Sequence, residues 1–76
     1  MFSKEIFSVR LRELRTERKI KQSVIAEMLD VTDGAISSME TAIRGPSIEV
    51  AYALADYFGV SIDYLVGRTD NPEVSK

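Results

Sequence analysis

The 76-residue sequence predicts an all-α fold, a compact bundle of five helices, and three observations lead there. Apolar residues recur at helical spacing: Phe7, Leu11 and Leu14, then Ile25, Ala26 and Leu29, then Ala35, Ile36 and Met39, then Ile48, Ala51, Leu54, Ala55 and Phe58. Helix-starting hydroxyls stand at Ser3, Thr32, Ser47 and Ser61, and helix-ending glycines at Gly59 and Gly67. Residues 22 to 41, QSVIAEMLDVTDGAISSMET, read as two short helices joined by a tight turn, and the rest of the chain serves that pair.

Each element follows from its local sequence. The first helix is expected over residues 4 to 19, capped by Ser3 and buried along Phe7, Leu11 and Leu14. On the helical wheel Arg12, Arg15 and Lys19 flank that stripe, while Arg10, Glu13 and Glu17 form a solvated flank on the other side. Ile20 returns the chain to the core. The second helix opens at Gln22 and turns Ile25, Ala26 and Leu29 inward; Val24 and Met28, at the border of that face, are expected to widen the core, with a small partner-binding patch as the alternative. Asp30-Val31-Thr32 makes the turn, with Asp30 in the left-handed conformation that glycine more often supplies.

Thr32 N-caps the third helix, residues 33 to 41. Ala35, Ile36 and Met39 form its apolar arc, and Asp33, Gly34, Ser37, Ser38 and Thr41 the opposite one. These five are small and polar or bare, so backbone can approach a partner closely there. The loop from Thr41 to Pro46 keeps Arg44 as its cation. The fourth helix, residues 47 to 58, has Ser47 as cap, Glu49 in its first turn and Ile48, Ala51, Leu54, Ala55 and Phe58 toward the core. Gly59 ends it, and a short helix from Ile62 to Val66 is stopped by Gly67. Residues 1–67 thus make one domain, and 68–76, RTDNPEVSK, a flexible tail or the start of a linker.

Composition narrows the function. Hydrophobic residues at 45% and charged residues at 29% suit a globular chain, and a domain this small buries only about 60% of its extended surface. No apolar run approaches the ~20 residues of a membrane span and the amino end lacks a signal-peptide pattern, so no membrane partner and a cytoplasmic location are expected. With neither Cys nor His, thiolates, disulfides and the usual imidazole base or metal ligand are missing. Carboxylates are scattered and no phosphate-cradling glycine loop is visible, so no enzyme activity, metal or cofactor is expected. The net charge of −2 speaks mildly against a nucleic-acid binder. It conceals a division, however: residues 1–21 hold seven Lys/Arg against three Glu, and residues 22–76 hold three Lys/Arg against nine Asp/Glu. Such a bipolar surface still offers one positive face to a duplex.

Several separate pieces then carry a resemblance: Leu11-Arg-x-Leu-Arg15; Gln22; Ile25-Ala26-x-x-Leu29-x-Val31-Thr32; Ile36-Ser37-x-x-Glu40; Pro46-Ser47; Leu54-Ala55; and Gly59-Val60-Ser61-Ile62-Asp63-Tyr64-Leu65. In order and spacing they resemble the helix-turn-helix of the Cro/CI-type repressor family, the Xre-like or lambda-repressor-like domains. The resemblance implies a compact five-helix DNA-binding domain with its helix-turn-helix at helices two and three. It implies a sequence-specific double-stranded DNA-binding transcriptional regulator, a repressor, acting as a homodimer on a palindromic operator. Base contacts would fall to Thr32, Asp33, Gly34, Ser37 and Ser38, with Thr41 on the same arc. Gln22 would hold a phosphate at the start of the second helix, Lys21 and Arg44 would lie near the backbone, and Arg15 would pair with Glu40 close to a phosphate. Pairing of two copies would use the carboxyl-terminal region, with Tyr64, Val66 and Tyr57 as candidates.

This chain departs from the family pattern in several places. Lys21 replaces the usual Ser or Thr cap, Val24 and Met28 stand where charged residues are usual, Ala42 stands where a helix-ending glycine is common, and the reading helix lacks the Arg, Lys, Asn and Gln that make bidentate base contacts. An alternative reading is therefore a protein-binding regulator, antitoxin-like or anti-repressor, with weak or no DNA binding and a protein partner.

Overall fold

Four hydroxyl caps set where the helices start. A computed structural model describes residues 2–74, and among these are five helices: α1 (Lys4–Glu17), α2 (Gln22–Leu29), α3 (Asp33–Glu40), α4 (Ile48–Phe58) and α5 (Ile62–Leu65). The hydroxyl oxygens of Ser3, Thr32, Ser47 and Ser61 accept from the backbone N–H of Ile6, Ala35, Val50 and Tyr64, each satisfying an amide that the helix itself leaves open. α2 has no such side-chain cap, since Lys21 stands in that position.

Every helix sends a side chain to one core. Phe7 and Leu11 of α1, Ile25 of α2, Ile36 of α3, Leu54 of α4 and Leu65 of α5 are completely buried. Removing each such side chain from water contributes about 1.5–3 kcal/mol. α3 packs on both α1 and α2, and α5 on both α4 and α1, so α1 joins the helix pair α2–α3 to α4 and α5.

Among the described residues, three non-glycine residues take left-handed backbone conformations, one in each of the first three connections. Asp30, at φ 57° and ψ 48°, ends α2 as expected, its N–H donating to the carbonyls of Ala26 and Glu27. Lys19, at φ 56°, closes α1 two residues earlier than the wheel predicts, because the chain must turn for the Ile20 N–H to reach Arg15 O at 3.0 Å. Ala42, at φ 62°, does the work of the glycine that is missing there. Its Cβ is crowded in that conformation, so Ala42→Gly is expected to raise stability by about 1 kcal/mol. A thermal melt should show Tm rising by about 5 °C.

Some expectations need correction. Val24 and Met28 do not widen the core: they are 45% and 38% exposed, because α2 packs through Ile25, Ala26 and Leu29 alone. Ile48, expected inside, is 72% exposed in the first turn of α4, and Val60 from the α4–α5 turn is buried instead. Arg10 is not a solvated flank residue. Its guanidinium lies 4.2 Å from the Tyr64 ring centre and donates to the carbonyls of Tyr64 and Thr69 and to Asp70 Oδ1, the last two at 2.7 and 2.8 Å.

The segment after Gly67 is likewise tied down through Pro72, against the expected flexible tail. Arg68 N–H donates to Asp63 O at 2.7 Å, and Ser61 N–H to Pro72 O at 2.9 Å. Ser75 and Lys76 lie outside the described residues.

Candidate nucleic-acid interface

The outer arc of α3 is open. Asp33, Gly34, Ser37 and Thr41 are exposed and Ser38 is half-buried. A Cβ on Gly34 would meet nothing nearer than Thr32 Oγ1, at 3.8 Å, so the surface is bare at the amino end of the helix. Thr32 spends its hydroxyl oxygen on Ala35 N–H at 3.1 Å, which leaves its proton to give. Thr41 does the reverse, donating its hydroxyl to Ser37 O at 2.9 Å and keeping its lone pairs. The arc therefore offers one carboxylate, hydroxyls of mixed donor and acceptor character, and a bare patch.

Behind this arc the helix is braced. Glu40, at the carboxyl end of α3, has a side chain only 3% exposed, and its charge is matched by Arg15 of α1. Arg15 Nε donates to Glu40 Oε2 at 2.5 Å and Nη2 to Oε1 at 2.9 Å, the two-pronged geometry that makes such pairs strong. Arg15 Nη1 also donates to Ile20 O at 2.8 Å, joining the α1–α2 connection to the brace. The hydrogen bond with Glu40 and the attraction of its charge raise the Arg15 pKa above its ordinary value, against the opposing effect of burial. A guanidinium with a raised pKa contributes its stabilisation at every pH below the ordinary value and loses it only above. On the Arg15 side the brace is thus insensitive to pH near neutrality.

Gln22, the first residue of α2, completes the cluster. Its amide Nε2 donates to Glu40 Oε1 at 3.1 Å, so one amide hydrogen is committed to the brace and the plane of the amide is fixed. The sequence places Gln22 at the helix start, but nothing in it signals this bond across to α3. Arg15, Gln22 and Glu40 therefore form one unit. Lys21 and Arg44 are both exposed, Lys21 beside the uncapped amino end of α2 and Arg44 in the α3–α4 loop. Of the three candidates for pairing, Tyr64 is half-buried beneath Arg10, Val66 is half-buried, and Tyr57 is exposed with its ring edge-on to Phe58 at 5.1 Å. Ile48 and Tyr52, one turn apart on α4, are more exposed than any of these. No helix of the described residues is long and apolar enough to cross a membrane.

Two short helices with a three-residue turn, the second capped at its start, braced at its end and bare along its outer arc, define a helix-turn-helix domain. The chain belongs to the Cro/CI-type helix-turn-helix family, whose model, described as "Helix-turn-helix", matches residues 11–65. The transcriptional repressor RstR of the cryptic phage CTXphi from Vibrio cholerae is 31% identical over 65 residues, covering 86% of this chain and 59% of that protein. The uncharacterized HTH-type transcriptional regulator YobD of Bacillus subtilis (strain 168) is 29% identical over 68 residues, covering 90% and 61%. This chain thus spans about three-fifths of the length of both relatives. Among solved structures, the P22 c2 repressor in complex with synthetic operator 9T in the presence of Tl+ superposes with a TM-score of 0.75. That protein shares 33% identity, and the match covers 80% of this chain and 92% of the other.

Proposed function

We propose that the chain is the double-stranded DNA-binding domain of a transcriptional regulator, a repressor, that reads a palindromic operator as a homodimer. The observation that carries this reading is the outer arc of α3, free of bulk and held rigid against α1 by Arg15 and Glu40. α3 lies in the major groove with Thr32, Asp33, Gly34, Ser37, Ser38 and Thr41 toward the bases. α2 rests its amino end on the backbone, where the open amides, Gln22 and Lys21 hold a phosphate. Arg44 holds a second phosphate from the loop, and Arg15 acts behind both by setting Gln22 and α3.

The chemistry of the arc sets the style of reading. Asp33 accepts from a cytosine amino group, hydroxyls serve donor or acceptor edges, and the bare surface at Gly34 admits a thymine methyl. Without a bidentate Arg or Gln, each base contributes modestly, and DNA shape and bridging water carry more of the discrimination. Two copies pair through the carboxyl-terminal half, with Tyr64, Val66 and Tyr57 joined by the exposed Ile48 and Tyr52. Half-sites then stand about 34 Å apart, one turn of duplex.

A salt titration of duplex binding tests this reading. Affinity should fall steeply with salt, and Gln22→Ala should weaken all sequences alike while leaving the slope unchanged, since a neutral amide releases no counterion. Binding that is indifferent to both salt and Gln22 would point to a protein partner instead.

A further inference from the structure

The loop between α3 and α4 is fastened on both sides of Arg44. Toward α3, the backbone N–H groups of Ile43 and Arg44 both donate to Ser38 O, at 3.0 and 3.2 Å. Toward α4, Gly45 lies against the ring of Phe2: a Cβ built on Gly45 would stand 3.1 Å from Phe2 Cε2 and 3.4 Å from Cζ. Gly45 is not among the residues of positive φ, so what it supplies here is close approach rather than a left-handed turn. The same Phe2 lines a cleft of about 380 Å³ together with Pro46, Ile48 and Val66, so its ring stands between the start of α1 and the start of α4. Arg44 lines a smaller cleft with Ala35 and Met39 of α3, which keeps it beside the reading helix.

A long cation on a loose loop loses backbone and side-chain freedom when it seizes a phosphate, whereas one on a fastened loop has less to lose. We infer that Phe2 is a positioning residue for Arg44: its ring closes over Gly45 and holds the loop so that Arg44 meets a phosphate of the duplex. This rests on the DNA-binding reading above. Phe2 itself touches no DNA.

A double-mutant cycle decides it. The parent chain, Phe2→Ala, Arg44→Ala and the double variant are titrated with a mixed-sequence duplex over a salt series, with a thermal melt of each. Phe2→Ala should weaken the parent about three- to tenfold and lower its salt slope toward that of Arg44→Ala, yet change affinity less than about twofold in the Arg44→Ala background. Phe2→Leu, which keeps an apolar cover on Gly45, should restore most of the loss. Equal losses in both backgrounds would make Phe2 a support of the fold alone and overturn the inference, as would no loss in the parent. A parent chain that binds no duplex would overturn the DNA reading and this inference with it. A parent that binds, with Arg44→Ala unchanged, would remove Arg44 from the interface and sink only the inference.

Discussion

Replacing Arg15 by alanine is expected to destabilise the chain by about 3 kcal/mol, because it leaves the Glu40 carboxylate buried without its countercharge. Arg15 supplies two of the hydrogen bonds that Glu40 accepts, and the Gln22 amide that remains carries no full charge. A chain of 76 residues has a total margin of about 4–11 kcal/mol, so the loss takes a large part of it. The melting temperature should fall by roughly 15 °C. Removing both partners should be gentler than removing Arg15 alone, since Arg15→Ala with Glu40→Ala leaves no buried charge behind. A melt of the double variant below that of Arg15→Ala would contradict this account of the brace.

Gly34→Glu should have the opposite balance, leaving the fold intact and abolishing DNA binding. A side chain at this position meets open space, with Thr32 Oγ1 at 3.8 Å as its nearest neighbour. Within a helix, replacing glycine by a straight-chain residue gains about 0.5–1 kcal/mol, so the melt should hold or rise. The new carboxylate, however, stands one residue from Asp33 on the arc assigned to the groove. Like-charge juxtaposition in an interface costs several kcal/mol, and affinity for duplex should drop by about 100-fold or more. Anisotropy titration beside a thermal melt separates the two effects. An unaltered affinity would remove α3 from the interface.

The helices were readable from the sequence because their determinants are local. A hydroxyl at Ser3, Thr32, Ser47 or Ser61 meets an amide three residues on, and the stripes of Phe7, Leu11 and Leu14 or Leu54, Ala55 and Phe58 repeat at the helical period. Asp30 was legible for the same reason, as the residue left to reverse the chain between two short helices.

Arg10 was not, because its partners Tyr64, Thr69 and Asp70 lie 54 to 60 residues further along and a helical wheel sees only Glu13 and Glu17 beside it. The same holds for residues 68–72, whose polar composition gives no hint that backbone groups of Asp63 and Ser61 fasten them. Val24, Met28 and Ile48 show the converse limit: periodicity marks a residue as apolar near the core face, whereas the placement of the other helices decides whether anything covers it. At the candidate site, the Arg15–Glu40 pair came from family resemblance. The bond from Gln22 to the same carboxylate came only from the fold, since 18 residues and a change of helix separate the two.

Selecting tight binders from a random-sequence duplex pool with the parent chain and with Ser38→Arg decides whether α3 reads bases while α2 and the loop hold the backbone. The parent should enrich a palindrome with half-sites about one duplex turn apart, and Ser38→Arg the same spacing with a guanine newly favoured in each half-site. Enrichment of no sequence by the parent, or of an identical sequence by both chains, would mean that α3 does not read the bases.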